Sequence, residues 1–436
     1  MSCSLTDHAW MIDMSIYETW GFSDTPFATT ALAPNELGSK LLVGRDIEVG
    51  KLTRRLANAP KLPTVEGPNG VGKTSLVNVT TYRAYKEYKS KGNGPLFIPC
   101  QRSFQLATNT TVEHFIKDVY IEIGETLHHL QQTLLKNSTV GGDLLERLAT
   151  APAASEVEKS LHSLGRLTGK QASSAFVNSD TISQQVLSWL QETFPEYRDG
   201  GVVCIIDNVE LLQTSENARR VVEELRDQIL TKVGIRWVLC GAAGIVRSVV
   251  SSPRLTGLLH DPIELGGIDQ NHASSILPSR VFAYQTRQDA YLPILPDEFE
   301  FLYETLRGNL RAALGYADNY CMWIADRTPP ATDDEKKSCF FDWLNQETKK
   351  EYTAVKDQMP PRTVQVFRTA VDLGGEFSPS DHDAFDFTSS QVLRPHVKTL
   401  EDLGLVSSQR DDIDKRRKTI SVTPKGWLVF HALEAE

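Results

Sequence analysis

Over the first 266 residues two hydrophobic rhythms alternate. Short continuous apolar runs, in LPTVEG, LFIPC (Leu96 to Cys100), GVVCIIDN and IRWVLCGA, have the length and β-branched content of buried strands. Between them apolar residues recur at helical spacing. Residues 41–56 read as a turn and then an amphipathic helix, with Ile47, Leu52 and Leu56 on one face. Further helices are predicted from Lys73 to about Ser90, from about Thr111 to Leu135 (Phe115, Val119, Ile123, Leu127), from about Thr181 to Phe194, and over TSENARRVVEELRDQIL. Strands alternating with helices predict an α/β fold, a parallel sheet covered on both faces.

Two stretches break the rhythm. Residues 137–180 are rich in Ser, Ala and Gly and read as a helical insertion. After about Gly266 the strand pattern stops, and residues 270–327 read as about three helices. The charged run TDDEKK (Thr332 to Lys337) reads as a linker or exposed face. Residues 360–436 form a different unit of helices, an alternating strand pair and a last helix. The expected division is a lead-in over 1–40, an α/β core over 41–266, a helical unit over 267–330, a linker over 331–359 and a C-terminal unit over 360–436.

Composition narrows the options. A chain of 436 residues is long enough for about three domains and a sizeable core. Its net charge of −10 excludes a protein that coats nucleic acid or an anionic membrane with its whole surface, so any such contact must come from a local basic patch. No apolar run approaches the roughly 20 residues that span a bilayer, which predicts no membrane segment. The first residues, MSCSLTDHAWMIDMS, carry Asp7 and Asp13 and no basic stretch before an apolar one, unlike a signal peptide. None of the six cysteines forms a CxxC pair, and Cys204 and Cys240 lie inside strand-like runs. They read as reduced core residues of a cytoplasmic protein.

The chemistry is concentrated at two strand ends. Gly67-Pro68-Asn69-Gly70-Val71-Gly72-Lys73-Thr74, followed by Ser75, fits G-x-x-x-x-G-K-[ST] between a strand and a helix. The glycines let backbone N–H groups converge on phosphate oxygens, and the helix N-terminus adds partial positive charge. Lys73 is expected to hold the β- and γ-phosphates of ATP, and the Thr74 hydroxyl to ligate Mg²⁺. Asp207 ends the apolar run Val202 to Ile206, where an open α/β sheet binds its ligands, and is the second expected Mg²⁺ residue. Many such ATPases carry a glutamate next to that aspartate to orient the attacking water. Here Asn208 occupies the position, and the nearest acid is Glu210. Either Glu210 serves as the base or hydrolysis is slow.

With these motifs the chain resembles the AAA+ ATPases, in particular the branch of archaeal origin-recognition initiators and the related STAND-type signalling ATPases. Gly44-Arg45-Asp46 with Glu48 is similar to the family's GRxxE segment beside the adenine, which places Arg45 at the nucleotide. Trp20 to Phe27 (WGFSDTPF) is similar to the branch's lead-in. Residues 236–241 resemble the sensor 1 strand, although its end offers only Cys240, Gly241 and Ala242. Gly308-Asn309-Leu310-Arg311 resembles the sensor 2 signature. The resemblance implies a helical lid over 267–330, with Arg311 reporting ATP against ADP. It also implies an arginine finger from a neighbouring subunit, for which Arg247 and Arg254 are candidates, and hence a homo-oligomer; without a finger, a monomeric switch is implied.

Residues 360–436 resemble a winged helix-turn-helix of the MarR type. Leu393, Val397 and Leu400 make the core stripe of its recognition helix, and Arg394 and Lys398 share another face. Pro395 is expected in the first turn. The wing carries Lys415, Arg416, Arg417 and Lys418 at its tip, suited to a minor groove. The unit holds ten basic and twelve acidic residues, so a protein partner is the alternative to DNA. The combined expectation is an ATP-switched DNA-binding protein in replication, transposition or mobile-element defence. The alternative is a signalling ATPase subunit of a multiprotein complex.

Overall fold

A computed structural model of the protein describes residues 15–106, 111–136, 141–167, 179–209, 215–242, 245–250, 252–410 and 418–435. Its main sheet contains β1 (Thr64–Glu66), β2 (Leu96–Pro99), β3 (Phe104–Gln105), β4 (Gly200–Asp207), β5 (Gly234–Gly241) and β6 (Ile263–Glu264). The order is β2-β4-β5-β1-β6, with β3 paired to the far end of β4, and every pairing is parallel. β4 and β5 are buried along their whole length, which explains their unbroken apolar runs. Gly201 lets β4 close on β5, since a Cβ there would stand 2.4 Å from the Gly234 carbonyl oxygen.

The two faces of the sheet carry separate cores. Leu52, Leu56, Leu76 and Val77, from the helices Asp46–Ala57 and Lys73–Lys91, cover one face. The other carries the helices Val112–Lys136, Asp143–Thr150, Ala153–Ser163 and Ser179–Thr193. The inserted stretch therefore contributes Leu145, Leu148, Val157 and Leu161 to the main core where it is described. Ile47, expected on the apolar face, is 72% exposed. The helix begins at Asp46, and its inward stripe is Val49, Leu52 and Leu56, which leaves Ile47 on the solvent side of the first turn.

After β6 come four helices, Gln270–Ala273, Ile276–Tyr284, Pro296–Thr305 and Leu310–Ala325, which form the lid. Tyr17, Trp20, Phe22 and Phe27 of the lead-in are buried in the lid's core rather than against the sheet. Backbone bonds fix them there: the N–H groups of Ser23, Thr286 and Tyr291 donate to the carbonyls of Tyr284, Gly21 and Trp20, each at 2.8 Å. The stretch read as a linker contains the helix Asp333–Lys356. Its charged start is a capping box, with Thr332 and Glu335 satisfying each other's backbone N–H. Phe340, Trp343 and Leu344 then enter the lid core.

The C-terminal unit is a winged helix: helix Pro361–Asp372, β7 (Glu376–Phe377), helix Ser390–Asp402, β8 (Val406–Arg410), β9 (Lys418–Val422) and helix Pro424–Ala435. The three strands form an antiparallel sheet in the order β7-β9-β8. Leu393, Val397 and Leu400 are buried as the spacing predicts. Pro395 is the sixth residue of its helix, not in the first turn. Because Pro395 and Gln391 are both exposed, the carbonyl that loses its i+4 donor can be solvated. Among the described residues no helix is long and apolar enough to cross a membrane.

Candidate nucleotide site

The glycines of the phosphate loop adopt the backbone that only glycine takes cheaply, with φ of 84° at Gly70 and 100° at Gly72. The loop thereby turns into the helix that starts at Lys73, whose N-terminus carries partial positive charge. Lys73 is buried, and its Nζ donates to the carbonyl of Gly67 at 2.9 Å and of Pro68 at 3.2 Å. Thr74 Oγ1 donates to Asp207 Oδ2 at 2.5 Å, bridging the loop to the end of β4. Asp207 Oδ1 accepts from the Asn208 N–H at 2.9 Å. A hydroxyl and a carboxylate side by side, beside a phosphate cradle, are the oxygen donors that suit Mg²⁺.

Asn69 to Ser75, Asp207 and Asn208 line a cavity of about 320 Å³, together with Arg45, Leu41 to Val43, Ile268, Ile276, Arg280, Leu310, Arg311 and Leu314. One end is polar, at the loop and Asp207. The other is apolar, between the lid and the segment before Arg45. Arg45 is buried, donating to the Gly266 carbonyl at 2.6 Å and paired with Glu48 at 3.3 Å. Ser75 is occupied by the lead-in, its Oγ accepting from the Leu32 N–H at 3.0 Å.

The lid touches the loop directly. Asn309 caps the helix of Arg311, its Oδ1 accepting from the Ala312 N–H at 3.1 Å, and its Nδ2 donates to the Asn69 carbonyl at 3.3 Å. The Arg311 N–H donates to the Gly70 carbonyl at 3.4 Å. Arg311 itself is exposed at the rim of the cavity.

Other expected residues lie elsewhere. Glu210 is outside the described residues. Asn208 is in the left-handed region, φ 54°, which Asn tolerates better than Glu does. The end of β5 brings no polar side chain to the cavity: Cys240 and Ala242 are buried. Arg247 is held within its own chain, donating to Glu66 Oε1 at 3.1 Å and paired also with Glu264. Arg254 pairs with Glu223 at 3.7 Å. Neither arginine lines the cavity. Arg394 and Lys398 are exposed on the outer side of the helix Ser390–Asp402. Lys415, Arg416 and Arg417 are outside the described residues, as is the side chain of Lys418.

No protein-family model matches the chain, and no curated protein does. Among solved structures it is similar to the Orc1 protein of Aeropyrum pernix in complex with DNA, at 14% identity and a TM-score of 0.42, over 91% of this chain and 93% of that one. It is also similar to Cdc6p of Pyrobaculum aerophilum (13% identity, TM-score 0.41, 95% and 99% covered) and to Drosophila ORC bound to DNA (13%, 0.38, 99% and 96%).

Two features, one in the site and one between the lid and the tail, have little or no trace in the sequence. Arg280 lines the cavity from a lid helix, and its only sequence signal is a charge on the stripe Ile276, Leu277, Tyr284. Arg307, with φ 52°, places its guanidinium 4.7 Å from the centre of the Trp427 ring, joining lid to winged helix. Leu428 is buried in the lid core, and Phe301 meets His431 edge to face. No local pattern announces those contacts.

Proposed function

We propose that the protein binds ATP with Mg²⁺ and hydrolyses it slowly, and that the nucleotide state sets the position of a DNA-binding winged helix. The observation that carries this is the phosphate loop in contact on one side with Asp207, through Thr74, and on the other with the lid, through Asn309 and Arg311. A γ-phosphate entering the cradle meets Lys73 and the Arg311 rim, so ATP and ADP present the lid with different charge. Thr74 and Asp207 would hold Mg²⁺, which would supply positive charge to offset the negative charge of the phosphates. Asn208 offers no base, which supports slow turnover unless Glu210 supplies one.

Coupling to the tail is supported by its packing. The last helix lies against the helix Asp333–Lys356 and the lid, so a lid rotation carries the winged helix with it. The helix Ser390–Asp402 keeps its outer face free, with Arg394 and Lys398 exposed. The basic wing tip adds four consecutive cations. Each cation that neutralises a phosphate changes the log–log salt slope of DNA binding by about 0.9. Replacing Arg416 and Arg417 with Ala should weaken binding and flatten the slope by up to about two units, leaving ATP affinity unchanged. Superimposable salt series, or no binding at low salt, would end the DNA reading. The acidic excess of the tail favours a second reading, a winged helix that docks a protein partner, and that outcome would leave it standing.

A further inference from the structure

The lid helix Ile276–Tyr284 turns Ile276, Leu277 and Tyr284 inward, and Arg280 shares that side. Arg280 is only 4% exposed. A buried cation is costly unless it is paired, and a leucine there would pack without that cost. Among the described residues no carboxylate pairs with it. Its Nη1 donates instead to two backbone carbonyls of the lead-in, Pro26 at 2.7 Å and Ala28 at 3.4 Å. Burial lowers its pKa to about 10, which leaves it charged at neutral pH.

What those two bonds hold is a wall of the nucleotide cavity. Residues 28–32 all line it and have no regular secondary structure. Their other end is tied to the helix of the phosphate loop: the Leu32 N–H donates to Ser75 Oγ at 3.0 Å, and Asn78 Nδ2 donates to the Leu32 carbonyl at 2.9 Å. The segment thus runs from the lid to the core across the site, fastened by a few hydrogen bonds at each end.

We propose that Arg280 is a positioning residue of the nucleotide site, fastening residues 26–32 as a strap over the bound nucleotide, and that the strap sets how fast the nucleotide leaves. This rests on the nucleotide-binding reading above. Opening either anchor frees the strap, so loss of either should have the same kinetic consequence.

The test uses the full chain loaded with N-methylanthraniloyl-ADP and chased with unlabelled ADP. Arg280→Ala and Asn78→Ala, at opposite ends of the strap, should each speed release roughly three- to tenfold, the effect of losing one or two hydrogen bonds, with the association rate within about twofold. Arg280→Lys should restore part of the slow release, because an ammonium can still donate to the two carbonyls. The double variant should release no faster than the faster single one. A merely structural role would lower the fraction of protein that binds without changing the decay rate, which would overturn the proposal. Faster release in Arg280→Ala with Asn78→Ala unchanged would also overturn it, since Arg280 would then act without the strap. Unchanged release in both, with wild type binding normally, would refute the strap and leave the nucleotide site intact. Wild type that binds no labelled ADP would refute the site itself and the strap with it. If Arg280→Ala does not fold, Asn78→Ala and Arg280→Lys carry the same test.

Discussion

Removing the Arg307 side chain should weaken the coupling of the winged helix to the lid, leaving the Leu428 and Phe301–His431 contacts in place. Its guanidinium lies 4.7 Å from the Trp427 ring centre, and Trp427 is 6% exposed while Arg307 is exposed. A cation–π contact with one exposed partner contributes about 0.5–1 kcal/mol. Arg307 also holds φ at 52°, which costs an L-residue about 1–2 kcal/mol and a glycine almost nothing. The two contributions separate by substitution. Arg307→Ala keeps the backbone cost and loses the contact, so thermal stability should fall by about 0.5–1 kcal/mol. Arg307→Gly loses the contact and relieves the backbone, so its stability should equal or exceed wild type. Both should reduce the signal that travels to the tail, because Arg307 stands two residues before Asn309, which touches the phosphate loop. The assay is hydrogen exchange over residues 424–435 with ATP and with ADP, alongside thermal melts. If Ala and Gly melt alike, the left-handed backbone at position 307 carries no cost. If the ATP–ADP difference in exchange is undiminished in both variants, the coupling does not pass through Arg307.

The nucleotide site and the winged helix make three further predictions. Arg311→Ala should leave ADP affinity nearly unchanged and weaken ATP by about tenfold or more, as calorimetry with each nucleotide would read, because the proposed charge-assisted bond to the γ-phosphate would be lost. Phosphate release by wild type should fall below about 1 per second; Asn208→Glu should lower the melting temperature by the cost of a non-Asn residue at φ 54°, and Asn208→Gly should not. His396 donates to or accepts from Thr363 Oγ1 at 2.8 Å and stacks on Phe387. Burial, and then Arg362, lowers its pKa below the ordinary 6.5. The folded tail therefore favours the neutral imidazole: its contribution is complete above about pH 6.5 and is lost as pH falls through the lowered value. Melts between about pH 7 and pH 5 should show that loss, and His396→Gln should flatten it.

The sheet and the phosphate loop were legible because their signals are local. A run such as Val202 to Ile206 is apolar because both faces of β4 are covered, and Gly70 and Gly72 are glycines because their φ is positive. Long-range packing left no such trace. Tyr17, Trp20, Phe22 and Phe27 are spaced without a period, so nothing in the lead-in said that they join the lid. TDDEKK looked like a linker because a helix start rich in acids and a solvated loop share one composition; Phe340, Trp343 and Leu344, at helical spacing behind it, were the better guide. Pro395 follows a rule of helix starts that an exposed helix face relaxes. Arg280 sat on an apolar stripe, and only the fold reveals that two carbonyls 252 and 254 residues away receive it.

The measurement that bears most directly on the central claim is calorimetric titration of the full chain with ATP and Mg²⁺, for wild type and Lys73→Ala. Wild type should bind one ATP per chain. Lys73→Ala should keep its melting temperature and lose at least about tenfold in affinity, because the buried ammonium beside Gly67 and Pro68 is the cation that the phosphates would meet. A folded Lys73→Ala that binds ATP as tightly as wild type, or a wild type that binds none, would contradict the account.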